Sequence, residues 1–433
     1  MGKNKLNLFQ LTIMTAVSMM GSGIVMLPAK LGQIGAISIF SWIVTAIGSV
    51  CLAIVFGKCG MYSQKEGGMV GYAEYAFGHS GNFLVSYSYG ISCVIANTAM
   101  ALSGAGYLAE LVGVSLTPFE TAIWTAVILW ASTILNWRGP GFTGKVSSFT
   151  VWGVIIACGL LCTLGWFWFS PSLYLYNWNV SGLPFAGAVT ESITMTLWAF
   201  LGLETACANA ERVENPHKNI PRAILFGITL AALCYIVTTN IMFGIVPASE
   251  LANSSAPFGF VFKQMFNGYV GNIIILLILI NDFGALVSWQ FTAANVFLAA
   301  ANAGHFPKIF KKLNSFSAPV LGMIILTLIQ TALAFMTVSP TLIKQYEILV
   351  DLSVITTIVA YLLSMASVRV LMRTAGCDEH EIKYISMLAM IGSVYSLYAC
   401  YASGLQAMAY GGLAIFLGWV LYGRVADNGK REI

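Results

Sequence analysis

The chain has 433 residues, of which 58% are hydrophobic and only 9% charged, with a mean hydropathy of +0.81. Soluble domains carry about 25% charged residues, so this composition excludes a sizeable soluble domain and points to a chain that crosses a membrane many times. The net charge of +4 is scattered among loops, which excludes the clustered basic surface of a nucleic-acid binder.

Apolar stretches near the ~20 residues a bilayer requires fall at 9–33, 36–57, 82–111, 119–136, 147–169, 187–209, 222–246, 269–301, 318–338, 345–370, 384–402 and 407–423. The predicted fold is therefore all-α and polytopic, with twelve transmembrane helices in one domain over residues 1–433. The third, eighth and tenth stretches exceed one bilayer thickness, as tilted or protruding helices do. The first runs from Leu8 to Pro28, too long and too well embedded in the pattern for a cleavable leader. With the N-terminus inside, all but three of the 21 Lys and Arg lie on one face, the exceptions being Lys30, Lys263 and Lys344. That asymmetry predicts cytoplasmic termini.

Two stretches are interrupted. Gly21 and Gly23 flank Ser22 in the middle of the first, with Pro28 following, and Gly202 interrupts the sixth just before Glu204. Breaks about five spans apart predict an inverted repeat, residues 1–169 against 187–371, with 384–423 appended. The third stretch carries Tyr87, Tyr89, Ser92, Cys93, Asn97 and Ser103, and the four-residue spacing of Tyr89, Cys93 and Asn97 puts these three on one face. For Asn97 two readings stand open, a polar cavity or a hydrogen bond between helices. The nine cysteines fall mostly in apolar spans without a CxxC pair, and the four histidines lie in loops, so no metal, cofactor or disulfide framework is expected.

Four or more residues inside the ends of the apolar spans, the charged residues are Glu191, Glu204, Asp282 and Asp351, with no Lys, Arg or His among them. Acids at that depth without basic partners are either protonated or visited by a cation, which argues for a cationic substrate, a coupling proton or Na⁺. Glu191 precedes Trp198 by seven residues and Asp282 precedes Trp289 by seven, so each acid shares a helical face with its indole. An acid and an indole on one wall suit an ammonium group and its alkyl chain. The plainer reading of both Trp is lipid-facing or core packing, and Glu191 also suits a vestibule near a helix end. Glu204, just past the break, reads either as a carboxylate satisfying unwound backbone N–H groups or as a protonatable switch, and the two are compatible. Glu74 falls in a short amphipathic segment of the kind that lies at a membrane interface. The charged turn from Glu211 to Arg222 contains Pro216 and Pro221, which should keep it from being helical throughout.

Gly21-Ser22-Gly23, the stretch from Thr196 to Glu204, Glu214-Asn215-Pro216 with Ile220-Pro221, and Gly165-Trp166-Phe167-Trp168-Phe169 together resemble the basic amino acid/polyamine antiporters of the amino acid–polyamine–organocation superfamily. Lys58-Cys59-Gly60-Met61, the run Gly71 to Gly78, Ser288-Trp289-Gln290-Phe291-Thr292 and Phe306 to Phe310 are most similar to its putrescine/ornithine exchangers. The resemblance implies a LeuT-like five-plus-five inverted repeat with helices 1 and 6 broken, in a bacterial inner membrane. It implies exchange of a cationic amino acid for its decarboxylated amine by alternating access. Ser22 and Gly23 would then receive the α-carboxylate and amino group, Trp198 would cover the substrate and Trp289 would lie beneath it. Glu204 would act as a proton-linked switch, and Tyr89, Cys93 and Asn97 as gate and side-chain contacts. Cys59, Glu74, Tyr87, Trp419 and Tyr422 match further positions linked with transport. Glu191, Asp282 and Asp351 depart from the family pattern, and the extra negative charge favours a ligand with two cationic ends, or another amine such as histamine or agmatine. Partners implied are the two substrates and the lipid bilayer, with a homodimer as a candidate assembly and no nucleic acid. Alternatives are a lysine/cadaverine, arginine/agmatine or histidine/histamine exchanger, or a proton- or Na⁺-coupled symporter. An enzyme is not expected, because no Ser/His or paired-Asp set falls at membrane depth.

Overall fold

The computed structural model describes residues 7–65, 68–204 and 213–431, and within these the side chains of 17, 22, 216, 217 and 424–431 are left aside. Its first helices are α1 (Leu8–Met19), α2 (Ser22–Gly32), α3 (Ile39–Tyr62), α4 (Met69–Val112), α5 (Pro118–Asn136), α6 (Pro140–Thr150), α7 (Trp152–Leu164), α8 (Pro171–Tyr176) and α9 (Phe185–Trp198). The remainder are α10 (Pro216–Ile245), α11 (Ala248–Leu251), α12 (Pro257–Met265), α13 (Gly268–Asn302), α14 (Val320–Met336), α15 (Leu342–Thr374), α16 (Glu379–Ala402) and α17 (Gly404–Arg431). Among the described residues nine helical segments are long and apolar enough to cross a bilayer. The pairs flanking the two breaks, α1 with α2 and α9 with the turn after it, are individually too short.

The long helices α4 and α15 form the middle of the bundle and pack along much of their length, with α13 against the other side of α4. The spanning window of α4 is 83% buried, against 11% for that of α17, so α4 is a scaffold on which other helices rest. Lipid supplies no hydrophobic drive between helices, and close packing needs small residues at the contacts. α4 provides them: a Cβ on Gly90 would meet the Phe297 ring at 2.8 Å, and one on Gly106 would meet Leu342 at 2.8 Å. Hydroxyls complete the seam, Ser92 donating to the Ser353 carbonyl at 3.0 Å and also meeting Thr357.

Several sequence-based boundaries shift. The amphipathic segment holding Glu74 runs directly into the third span as the start of α4, across a kink at Gly78, whose φ of 59° suits glycine. The fifth span is split between α6 and α7. The charged turn is not helical throughout: residues 213–215 precede α10, which begins at Pro216, where the missing N–H costs nothing, and carries Pro221 inside. Glu211 and Arg212, like Cys207, lie outside the described residues.

Candidate functional site

Two helix breaks meet at the centre of the bundle. α1 stops at Met19 and α2 restarts at Ser22, while α9 stops at Trp198 and passes through tight turns to Glu204, with Gly202 at φ 103°. The approach is close enough that a Cβ on Gly23 would sit 2.8 Å from Cα of Ala199. A Cβ on Gly202 would sit 3.0 Å from the Ser18 carbonyl oxygen and 3.1 Å from the Trp289 ring. Glycine is thus required twice by proximity and once also by dihedral angle. The Ala199 carbonyl at the end of α9 accepts from Tyr235 at 3.1 Å, and Tyr107 donates to the Val25 carbonyl of α2 at 3.0 Å.

The breaks open onto a cavity whose lining includes Gly21, Gly23, Tyr89, Cys93, Trp198, Glu204 and Trp289, together with Ser92, Ser353 and Thr357. Glu204, 8% exposed, accepts from the Tyr89 hydroxyl at 2.7 Å, from the Tyr361 hydroxyl at 2.6 Å and from the Gly202 backbone N–H at 3.2 Å. All three donors are neutral, so among the described residues the carboxyl is satisfied in hydrogen bonds without being paired in charge. At another edge the Trp198 indole N–H donates to Tyr346 at 3.0 Å, joining α9 to α15.

Other expected residues fall elsewhere. Asn97 is buried, and its amide donates to Gln290 at 2.7 Å within a cluster that also holds Thr133, Thr327 and Gln330. Of its two readings the structure therefore displays the bond between helices. Asp282 does not share the cavity with Trp289. It is 1% exposed beside a second, apolar cavity lined by Met100, Gly104, Leu108, Ile128 and Phe283, and neither carboxyl oxygen has a partner among the described residues. Seven residues preserve the helical face but displace the side chain by roughly 10 Å along the axis, and that rise separates the two. The same rise carries Glu191 away from Trp198: Glu191 is exposed, while Trp198 is 6% exposed. Asp351 lies off the cavity in the field of Glu347, Lys30 and Lys344. The Ser22 side chain is outside the described set.

The further transport-linked positions are dispersed. Cys59 is fully buried in α3, and Glu74 is held by Lys65 at 2.5 Å and Asn82 at 2.9 Å. Tyr87 donates to the Ala414 carbonyl at 3.0 Å, and Tyr422 packs on Phe83, which links α17 to α4. Trp419 is exposed. Sequence reasoning missed Tyr346, Ser353, Thr357 and Tyr361, although these recur at helical spacing along one face of α15 and were readable as a polar stripe in an apolar span.

An all-helical, many-span protein with a cavity at two apposed helix breaks has the organisation of a membrane carrier. The sequence model of the amino acid permease family matches residues 6–419, and the chain belongs to that family. Among its relatives, the protein named putrescine transporter PotE from Haemophilus influenzae is 54% identical over 423 residues, covering 98% of this chain and 97% of that protein. The Escherichia coli K12 protein of the same name is 53% identical over 425 residues, again covering 98% and 97%. The cadaverine/lysine antiporter of Escherichia coli K12 is 31% identical over 332 residues, 76% of this chain and 74% of its own.

Proposed function

We propose that the protein is a bacterial inner-membrane antiporter that exchanges putrescine for its parent amino acid, ornithine. Twelve spans arranged as a five-plus-five inverted repeat, residues 1–169 against 187–371, with cytoplasmic termini, are part of this reading. Among the described residues, the nine long segments, α1 with α2 and α9 with the turn after it as one broken span each, and the shorter apolar helix α14 support that number. The substrate names rest on the near-full-length similarity to proteins named for putrescine, which exceeds that to the cadaverine/lysine antiporter.

The observation that carries the reading is Glu204, a buried carboxylate held among the described residues by neutral donors where two half-helices end. The C-terminal ends of α1 and α9 direct partial negative charge to the same place, and the rings of Trp198, Trp289 and Tyr89 add cation-attracting faces. An ammonium group is therefore favoured there. The N-terminal end of α2, at Ser22 and Gly23, offers backbone N–H groups to an α-carboxylate, which ornithine has and putrescine lacks. One cavity thus accepts both members of a precursor/amine pair. Putrescine carries one more positive charge than ornithine, and a proton taken up by Glu204 with ornithine would equalise the charge carried in each direction.

Counterflow in proteoliposomes tests this. Vesicles loaded with unlabelled ornithine should take up radiolabelled putrescine, and empty vesicles should not. Uptake of equal rate without internal substrate would overturn antiport, and exchange of cadaverine but not putrescine would overturn the substrate pair.

A further inference from the structure

The cavity beside Asp282 is roomier than the one at the helix breaks, about 300 Å³ against about 50 Å³. Its walls come from α4, α5, α6 and α13, and only Asp282 and Thr150 bring polar side chains to them. The Thr150 hydroxyl already donates to the Ser147 carbonyl at 3.3 Å. Asp282 is 1% exposed with neither oxygen partnered, and the buried hydroxyl of Ser103, next to Gly104 on α4, likewise has no partner among the described residues. A carboxyl without a partner thus faces an apolar chamber large enough for a small ligand.

The rim of this chamber lies on the lipid side. Ile273, Leu276 and Ile280 recur at helical spacing as an exposed apolar stripe on α13, inside a segment long enough to span a bilayer, and Ile280 lines the chamber. Ile128, Leu279 and Phe283 around it are half-buried. A molecule arriving there comes through acyl chains and must be lipid-soluble, which excludes a hydrated metal ion and a doubly charged diamine. The carboxyl inside calls for one basic nitrogen. A neutral amine that takes the acid's proton, with an N–H bond formed for the O–H bond broken, gives the same pair as an ammonium meeting the carboxylate.

We propose that the chamber beside Asp282 is a lipid-facing site for a monoamine with an apolar body, and that its occupant acts on the central cavity through Met100. Met100 lines both cavities and clusters with Leu286, against which Trp289 also packs. On its other side the Met100 methyl carbon lies 3.9 Å from where a Cβ on Gly21 would stand, at the first helix break. Methionine is unbranched and turns readily, and the room for it to turn is on the Asp282 side. A filled chamber holds Met100 toward Gly21 and Trp289, where it takes space from a substrate, and a bound substrate presses the other way. The two ligands therefore weaken each other, by the same factor in each direction. The amine site stands apart from the antiport reading, whereas its coupling rests on that reading for the substrate cavity.

Octylamine is the probe, with octanol as its neutral counterpart of equal length. Isothermal titration of the full chain in phosphatidylcholine nanodiscs, with empty nanodiscs subtracted, should show saturable binding of octylamine and none of octanol. Asp282→Asn keeps the size and should raise the octylamine Kd about tenfold or more, while putrescine Kd stays within twofold. Gly104→Leu keeps the acid and fills the chamber from α4, where a Cβ meets nothing closer than Ile128 at 3.5 Å. It should abolish octylamine binding, and it carries the test should Asp282→Asn not fold. Saturating putrescine should raise the octylamine Kd at least threefold, and Met100→Ala should bring that factor close to one. Octylamine binding that survives Asp282→Asn and Gly104→Leu but is lost in Glu204→Gln would put the amine in the central cavity and overturn the proposal, as would saturable binding of octanol with equal affinity. An octylamine Kd unmoved by putrescine would overturn the coupling through Met100. Absence of putrescine binding to the unmutated protein would instead strike the antiport reading, with the octylamine comparison still in force.

Discussion

Tyr361 and Glu204 are 157 residues apart in sequence, yet the tyrosine hydroxyl donates to the carboxylate at 2.6 Å. Tyr89 donates to the other carboxylate oxygen at 2.7 Å, so α4 and α15 are tied to the end of the second broken segment through one side chain. A hydrogen bond to a charged group contributes about 1.5–3 kcal/mol. Tyr361→Phe keeps the ring and removes only the donor. Exchange by this variant should fall about tenfold or more, and Tyr89→Phe should act similarly. The double variant should lose less than the product of the two, because both act on one carboxylate. Stopped-flow uptake into proteoliposomes would read this, and strictly additive losses would separate the two tyrosines into independent roles.

Glu204 itself is expected to link exchange to pH. Glu204→Gln keeps the shape and an acceptor oxygen but carries neither the charge nor the exchangeable acid proton. The variant should lose most of the pH dependence of ornithine-for-putrescine exchange and should become sensitive to an imposed membrane potential. Uptake measured across pH with and without a potassium diffusion potential tests both. A pH profile that superimposes on the unmutated protein would leave Glu204 a structural carboxylate for the Gly202 N–H.

Trp198 holds its place through a hydrogen bond to Tyr346, whereas Trp289 touches the break at Gly202 through its ring alone. Truncating either to Ala removes a cation–π face worth about 0.5–2 kcal/mol together with packing area. Isothermal titration with putrescine should show Kd rising at least fivefold for each. Trp198→Phe should separate the contributions, retaining most affinity while loosening closure of the cavity. Unchanged affinity in both Ala variants would remove the two indoles from the binding site.

The breaks in the first and sixth spans were legible because a glycine inside a helix costs about 1 kcal/mol relative to alanine, so glycines within an apolar run mark where a helix yields. The cavity formed where those glycines predicted it. The acids were legible as costly residues but not as neighbours. Periodicity reports the face a side chain occupies and says nothing of depth, so Asp282 and Trp289 share a face while lining different cavities. Contacts between distant segments were beyond reach for a related reason. Nothing near Glu204 in sequence points to Tyr361, and Lys30, counted among loop charges, sits inside α2 against Glu347. Asn97 looked equally suited to a cavity and to a neighbouring helix, and only the position of Gln290 separates the two.

The isolation of Asp282 gives the sharpest stability forecast. Its carboxyl faces Gly104 on α4, where a Cβ would lie 3.7 Å from Oδ2, while Glu204 is reached from Tyr89 on the same helix. Tyr89 and Gly104 are separated by about fifteen residues, or roughly 22 Å of helix, so the two acids are reached from different stretches of α4. Leaving a buried polar group without a partner costs about 1–3 kcal/mol, and an apolar group of similar size removes that cost. Asp282→Leu should therefore raise the thermal unfolding temperature in detergent, while putrescine Kd stays within twofold. A fall in stability, or a loss of binding comparable to that of Trp198→Ala, would show that the carboxyl acts on the substrate site from its own cavity.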